Sequence, residues 1–192
     1  TSSAYGLNKS ALNKETDPTK SPLSVYAATK ITNENLAHVY SYLYKIKTTG
    51  IRFFTVYGPL GRPDMALFKF VKNILKNKSI DVYNRGNMRR SFTYIDDVVE
   101  ALVKLINVKN FHDKKIPFDV LNIGNNKSVS LKKFINIIEK NLKKKSVQNK
   151  LPMQKGDVKA TKADIKKLFS LTKFKPKINI EIGISKFIKW YL

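Results

Sequence analysis

The segment IRFFTV, residues 51–56, decides the fold class of this chain. It is short and rich in β-branched and aromatic side chains, a composition typical of a buried strand. The residues ahead of it, 23–47, carry apolar side chains at helical spacing, which predicts a long helix that begins after Pro22 and ends at Gly50. A long helix followed by a buried strand is the repeating unit of an α/β fold.

The same alternation continues to the end of the chain. We predict further strands at 80–83, 89–95 and 118–123, and helices at 64–77, 96–108, 131–144, 163–171 and 181–191. Asp64, Asp96 and Ser130 are the expected amino-terminal caps of three of these helices. Residues 1–6 are expected to be the end of a strand. We therefore predict an α/β fold with parallel pairing in part of its sheet.

The composition predicts a globular protein. Of the 192 residues, 42% are hydrophobic and 11% aromatic, and no apolar stretch approaches the length of a membrane helix. Zero cysteines exclude disulfides and thiolate chemistry and suit a reducing compartment, so the cytoplasm is the expected location. The two histidines, His38 and His112, are too isolated to form a metal site, and no metal is expected.

The charge could indicate a nucleic-acid-binding protein. Lys and Arg number 37 against 14 Asp and Glu, for a formal net charge of +23, and such a field attracts polyanions. However, base readout and bidentate phosphate recognition depend on arginine, and nearly all of these cations are lysines spread along predicted helices. A solvated lysine-rich surface is therefore favoured over a nucleic-acid site.

Tyr26 and Lys30 are the first candidate for chemistry. Their spacing of four residues places a phenol and an ammonium on one face of the long helix. A phenol, with an ordinary pKa of about 10, is a poor base at neutral pH, but a neighbouring cation stabilises the phenolate. Such a pair can exchange a proton with a sugar hydroxyl. Out of context, a surface pair is the more common explanation of this spacing.

The motifs around this pair supply the context. TSSAYG (1–6), YAATK (26–30) and RFFTVYGP (52–59) occur in the order seen in extended short-chain dehydrogenases/reductases. GRPDMA (61–66), RSFTYIDD (90–97) and MQKGDV (153–158) narrow the resemblance to NAD-dependent nucleotide-sugar epimerases and dehydratases. They most closely resemble bacterial UDP-glucuronate 4-epimerases of polysaccharide pathways. The resemblance runs nearly from end to end.

The resemblance implies a fold and its partners. The chain would be the carboxyl-terminal part of a Rossmann-like doubly wound sheet plus a small α/β substrate-binding domain. Residues 1–60 and 96–125 would belong to the first, and residues 61–95 and 126–192 to the second. NAD, a UDP-sugar and a second copy of the complete protein, docked through the helix of Tyr26, would be its partners. No glycine-rich dinucleotide turn occurs in the sequence, so we expect a truncated chain that binds NAD poorly and is inactive alone.

The resemblance also assigns roles on the catalytic side. Tyr26 resembles the catalytic base and acid, and Lys30 its partner, which also contacts the nicotinamide ribose. Thr1 occupies the place of a hydroxyl residue that hydrogen-bonds the reacting sugar oxygen. Ser2, Ser3 and Thr55 resemble hydroxyl groups around the uronate carboxylate. Without that context, Thr1, Ser2 and Ser3 are explained as well by a polar strand end.

On the nucleotide side, Arg62 lies in a loop that the family places near the substrate, and Tyr83 resembles a uridine contact. Arg90 matches an arginine that holds the diphosphate, and Asp157 a carboxylate that binds the ribose. Out of context, Arg90 is more simply explained as a solvated strand residue, and Asp157 as a turn former. Ser91 departs from the family, where an Asp usually follows the arginine, and this departure questions how Arg90 is oriented.

The implied reaction is epimerisation at C4 of a UDP-uronic acid, from UDP-glucuronate to UDP-galacturonate, through a 4-keto intermediate. A dehydratase or a decarboxylating synthase shares the Tyr26 and Lys30 pair. A dehydratase usually has Asp and Glu after its Thr, where this chain has Ser2 and Ser3, and this favours an epimerase. A basic nucleic-acid-binding module and a non-catalytic relic that only dimerises are the other hypotheses.

Overall fold

The computed structural model describes residues 1–8, 12–108 and 115–192. Within these ranges the α-helices are α1 Val25–Tyr44, α2 Ala66–Leu75, α3 Ile95–Ile106, α4 Leu131–Leu142, α5 Lys166–Thr172 and α6 Ile180–Tyr191. The strands are β1 Thr48–Phe53, β2 Thr55–Tyr57, β3 Ile80–Val82, β4 Arg89–Arg90, β5 Phe92–Tyr94, β6 Phe118–Ile123, β7 Val129–Ser130 and β8 Gln148–Lys150. Two 3-10 helices span Ser2–Tyr5 and Tyr83–Gly86. His112 lies outside the described residues.

Strand pairing is mainly parallel. β1 pairs with β6 over six residues, from Thr48 opposite Phe118 to Phe53 opposite Ile123. β2 pairs with β5 and β3 with β8, both in parallel, while the short β4 and β7 pair antiparallel. Parallel strands need helical crossovers, and the chain supplies them. The predicted α/β class is confirmed.

The predicted strands at 51–56 and 89–95 are each divided in two. The Phe54 amide donates to Ile123 of β6, whereas the next amide, that of Thr55, donates to Ser91 beside β5. The chain therefore changes partner strand at Phe54, and the two parallel pairs are separate. An apolar run does not reveal such a change, because both halves are buried.

The long helix is confirmed, but its predicted end is wrong. Ser24 caps α1 by accepting the Ala27 amide at 3.1 Å, and the helix ends at Tyr44, after which Lys45 adopts a left-handed conformation. Gly50 instead lies inside β1. It lies opposite Val120 in the parallel pairing of β1 with β6.

Three other local predictions need correction. Residues 2–5 form a 3-10 helix rather than a strand end. Asp64 does not cap α2, because its carboxylate binds Arg62 instead. Asp96 lies in the first turn of α3, whose cap position is Tyr94. Ser130 caps α4 as predicted, by accepting the Lys133 amide at 3.2 Å.

Buried side chains form two main cores. One, the aromatic core, lies among α2, α4, α6 and β5, and its centre is the stacked pair Phe92 and Phe134, with ring centroids 4.5 Å apart. The other, the aliphatic core, joins α3 and α5 to β6 through residues such as Leu121 and Leu168. None of the helices in the described ranges combines the length and apolarity needed to cross a bilayer.

Candidate active site

Tyr26 and Lys30 lie in the first two turns of α1, as predicted, and their side chains converge. The Lys30 Nζ lies 5.5 Å from the centroid of the Tyr26 ring. Tyr26 is 52% exposed. A phenol and an ammonium thus lie side by side on a solvent-accessible part of α1.

The inner face of the same helix carries a buried charge pair. Ala27 and Ser41 are buried, and Glu34 lies midway between them, seven residues from each. Its carboxylate receives two hydrogen bonds from Arg52 of β1, from Nε at 3.0 Å and from Nη2 at 2.8 Å. Burial alone would lower the pKa of Arg52, but the hydrogen bonds to Glu34 and Tyr5 raise it. This pair fixes the rotation of α1 against the sheet.

Tyr5 completes this polar network. Its hydroxyl donates to the Asn122 side-chain oxygen at 2.6 Å, and the Arg52 guanidinium lies over its ring at 4.8 Å. Burial raises the pKa of Tyr5, and Arg52 only partly offsets this. Arg52 and Glu34 were not among the residues predicted from the sequence. An arginine within an apolar strand and a glutamate one turn beyond Lys30 could have indicated a buried ion pair.

Thr1, Ser2 and Ser3 lie at the 3-10 helix that packs against α1. The Thr1 hydroxyl accepts the Ser3 amide at 3.3 Å and so caps this helix. The Thr1 backbone nitrogen is within electrostatic range of Lys30, Glu34 and Arg52. The structure therefore brings Thr1 beside the Tyr26 and Lys30 pair.

Four other predicted residues line one cavity of about 510 Å³. They are Thr55, Tyr83, Arg90 and Asp157. Aromatic side chains such as Phe92 form part of the cavity wall, and polar groups from α2 and the 151–158 loop complete it. Residues 1–3 are not among the residues that line this cavity.

Arg90 and Asp157 bind each other across this cavity. The Arg90 Nη2 lies 2.6 Å from the Asp157 carboxylate, with side chains 19% and 35% exposed. Burial lowers the pKa of Arg90, and the charge of Asp157 partly offsets this. The Arg90 Nη1 also donates to the carbonyls of Arg89 and Lys159. Asp157 and these carbonyls orient Arg90.

Ser91 therefore leaves Arg90 oriented. Its hydroxyl donates to the Asn125 carbonyl at 2.7 Å and accepts the Asn125 amide at 2.9 Å. The side chain is fully buried and faces the 124–126 turn rather than the cavity. In the family, an Asp at this position could orient the arginine with its carboxylate. In this chain Asp157 supplies a carboxylate to Arg90 instead.

Two contacts connect the cavity with the region of Tyr26 on α1. Arg62 is exposed and binds Asp64, which lines the cavity. That hydrogen bond raises the pKa of Arg62, and the nearby Tyr26 adds a smaller electrostatic contribution in the same direction. Gly156, with φ of +82°, packs against the start of α1, and a Cβ there would lie 2.8 Å from the Leu23 carbonyl. The loop of Asp157 therefore contacts the helix of Tyr26.

Sequence reasoning missed one cation of the cavity. Lys69 of α2 lines it together with Met65, four residues earlier. That spacing places both on one helix face. The helical periodicity of residues 64–77 could have indicated it, although nothing in the sequence showed which face meets the cavity.

Comparison with known proteins shows which family this chain resembles. The NAD dependent epimerase/dehydratase family matches residues 1–124. Protein CapI of Staphylococcus aureus is 48% identical over 203 residues, covering all of this chain and 61% of that protein. A probable UDP-glucuronate 4-epimerase of Rhizobium meliloti is 45% identical over 204 residues, with 100% and 60% covered. The chain thus spans about 60% of the length of these relatives.

A solved structure shares the fold. The UDP-glucuronic acid 4-epimerase of Bacillus cereus, in complex with UDP-glucuronic acid and NAD, superimposes with a TM-score of 0.89 at 35% identity. The match covers 99% of this chain and 59% of that one. The Rossmann-like fold expected from the sequence is confirmed.

Proposed function

This chain belongs to the NAD dependent epimerase/dehydratase family, and we propose that its full-length gene product interconverts UDP-glucuronate and UDP-galacturonate. One arrangement carries this proposal: the side chains of Tyr26 and Lys30 converge, and the Asp157 loop, which contacts the chain just before their helix, lines a cavity together with Arg90. The names of the relatives support the choice of substrate. A cytoplasmic location is part of the proposal, since a chain without cysteine suits a reducing compartment.

The cofactor in this proposal is NAD. The Lys30 ammonium and the Tyr26 hydroxyl are neighbouring donors on one exposed helix face, a donor set that fits the hydroxyls of a nicotinamide ribose. When bound, NAD supplies a reversible hydride acceptor for C4 of the sugar. Tyr26 accepts the proton of the C4 hydroxyl and returns it, and Lys30 stabilises the phenolate that this requires. Thr1 hydrogen-bonds the same sugar oxygen.

The cavity holds the nucleotide. Arg90 binds the diphosphate, because a guanidinium fork fits phosphate oxygens, Asp157 binds the ribose and Tyr83 contacts the uracil. Arg90 and Asp157 bind each other, and in this proposal the nucleotide takes the place of their mutual contact.

The remaining predicted residues restrain the sugar. The 4-keto intermediate of a uronate is a β-keto acid, which loses carbon dioxide when its carboxylate bond aligns with the carbonyl. We assign Ser2, Ser3, Thr55 and Arg62 to holding the carboxylate away from that alignment. Thr55 lies in the cavity wall and Arg62 near Tyr26, on either side of the place a sugar would occupy.

Product analysis tests the reaction. Incubation of the full-length gene product with UDP-glucuronate should yield UDP-galacturonate without net change in NAD. Release of carbon dioxide with a UDP-pentose would establish a decarboxylase instead. Recovery of unchanged UDP-glucuronate from a preparation that retains NAD would overturn the proposal.

Substitution of Tyr26 tests its assignment as the catalytic base. Tyr26→Phe should lower kcat by at least about a hundredfold, because the proton exchange is lost, and leave UDP affinity unchanged. Tyr42→Phe is the matched control, since Tyr42 is an equally exposed tyrosine on the same helix and lies outside the cavity lining. Equal kcat values for the two variants would contradict the assignment.

The isolated chain has a separate expected behaviour. Residues 1–192 wall the nucleotide cavity but contain no glycine-rich dinucleotide turn. We propose that this chain alone binds UDP, binds NAD poorly and lacks epimerase activity. Titration calorimetry with each ligand measures this, and NAD affinity equal to that of the full-length protein would refute it.

A homodimer is also part of the proposal. The face of α1 opposite Ala27 and Glu34 exposes an apolar stripe formed by Leu36, Val39, Tyr40 and Leu43. Leu43→Glu should convert a dimeric full-length protein to a monomer in sedimentation, because a buried unpaired charge opposes association. Val103→Glu, on the similarly exposed surface of α3, is the control. A monomeric parent protein would exclude the dimer.

A further inference from the structure

We infer that Arg52 is a positioning residue for the proposed reaction: it binds the Glu34 carboxylate and thereby keeps that carboxylate from pairing with Lys30. Lys30 then remains available to Tyr26. The inference rests on the roles proposed above for Tyr26 and Lys30, and it adds two residues that those roles do not include.

The spacing on α1 creates a competition. Tyr26, Lys30 and Glu34 follow one another at intervals of four residues, so each lies one turn from the next. A lysine and a glutamate at this spacing commonly form an ion pair. In the structure the Lys30 Nζ instead lies 5.5 Å from the Tyr26 ring centroid, and among the described residues Lys30 forms no salt bridge.

Arg52 explains why Glu34 does not pair with Lys30. Its Nε and Nη2 occupy one carboxylate oxygen each, and the two side chains are only 6% and 14% exposed. A planar fork on a carboxylate is a strong and directional contact.

The surroundings of Arg52 hold the fork in place. The guanidinium packs over the Tyr5 ring, and its Nη1 donates to the Glu15 carbonyl at 3.4 Å. The Tyr5 hydroxyl is itself fixed by Asn122. A lysine in place of Arg52 would keep the charge but could not make both contacts to Glu34.

The other charged groups near this helix are accounted for. The carboxylate of Glu15 accepts the Asn122 amide, and Arg62, on the loop beside Tyr26, is bound to Asp64. Arg62 also interacts electrostatically with Tyr26, but among the described residues Lys30 is the cation that lies over the Tyr26 ring.

The experiment uses the full-length gene product and four variants: Arg52→Met, Arg52→Lys, Glu34→Gln and the double variant Arg52→Met with Glu34→Gln. In Arg52→Met, Glu34 is free to draw Lys30 away from Tyr26. We expect kcat at neutral pH to fall about tenfold, KM to change less than about twofold, and the rising limb of the kcat profile to shift about one pH unit upward. The double variant lacks the competing carboxylate and should regain most of the parent profile.

Rescue separates positioning from mere structural support. A double variant as slow as Arg52→Met, with the same pH profile, would overturn the inference. If Arg52→Met does not fold, Arg52→Lys should show a smaller shift in the same direction, again reversed by Glu34→Gln. An unshifted profile in a folded Arg52→Lys variant would likewise count against it.

A measurement without turnover separates this inference from the proposed function. Carbon-13 NMR at neutral pH follows the ring signal of Tyr26, which is assigned by its loss in Tyr26→Phe. This signal should move in Arg52→Met, because Lys30 leaves the ring, and should return in the double variant. That pattern in a protein that converts no UDP-glucuronate would support the inference and overturn the proposed function, whereas an unmoved signal in an active enzyme would do the reverse.

Discussion

Two arginine–carboxylate pairs in this chain differ in nearly every physical respect. Arg52 and Glu34 form a bidentate pair with side chains 6% and 14% exposed, closed over by the Tyr5 ring. Arg90 and Asp157 share one contact at 2.6 Å, with side chains 19% and 35% exposed, on a cavity of about 510 Å³. The first pair has no route by which a ligand could replace a partner. In the second pair, Arg90 can exchange the carboxylate for a phosphate. The first pair is therefore suited to holding a helix in place, and the second to binding a nucleotide.

The largest expected effect concerns the closed pair. Arg52→Met removes the bidentate partner of the buried Glu34 carboxylate, and because a single lysine contact replaces it only in part, the free energy of unfolding should fall by up to about 3–5 kcal/mol. Removal of both charges, in Arg52→Met with Glu34→Gln, should recover much of this, because no ion is then left buried unpaired. Urea unfolding of the full-length protein measures both. A single variant as stable as the parent would remove the distinction between the pairs.

The next effect concerns the open pair. Arg90→Leu should weaken UDP binding about tenfold to a hundredfold, since a charge-assisted hydrogen bond contributes about 1.5–3 kcal/mol. Stability should change little, because Asp157 can turn to solvent. Arg89→Leu is the control, as Arg89 is exposed and donates to Ser128 instead of reaching the cavity. Equal UDP affinity of the two variants in calorimetry would contradict the nucleotide role.

The two pairs also differ in how far the sequence revealed them. Arg90 and Asp157, 67 residues apart, were found because each lies in a family motif, and the structure brings them together at one cavity. Arg52 and Glu34 were not found, although helical spacing alone places Glu34 one turn beyond Lys30. A buried ion pair depends on which strand face meets the helix, and that is settled by tertiary packing.

The fold divides in the same way. Helices with periodic apolar faces, such as α3 and α4, were predicted to within a few residues of their observed ends. The change of partner strand at Phe54 was not, because hydrogen bonds to Ile123 and Ser91 on distant segments decide it. Gly50 was assigned to a helix end for its local preference, whereas pairing with Val120 of β6 places it inside β1. Local patterns thus predicted elements, and long-range contacts set their boundaries.

A smaller effect tests what orients Arg90. Ser91→Ala removes two hydrogen bonds to Asn125 and should cost about 1–2 kcal/mol of unfolding free energy. UDP affinity should stay within about twofold, because Asp157 and the backbone carbonyls orient the guanidinium. Thermal unfolding and calorimetry give the two readouts. A tenfold loss of UDP affinity in Ser91→Ala would show that residue 91 orients Arg90 after all.

The smallest effect comes from Glu139 of α4, a carboxylate held mostly by neutral donors. It accepts the Ser146 amide at 2.9 Å and the Ser146 hydroxyl at 2.6 Å, while its cation, Lys145, is 91% exposed. Burial alone would raise the pKa of Glu139, but these hydrogen bonds and Lys145 lower it.

A carboxylate with a lowered pKa adds stability that is present above its unfolded value of 4.5 and is lost as the pH falls through the folded value. Glu139→Gln should therefore flatten the loss of stability below about pH 4.5, with a difference under about 1 kcal/mol. Lys145→Met is the control. Because Ser146 supplies the main contacts, this variant should keep the acid dependence of the parent, and an equal flattening in both variants would show that the ion pair dominates.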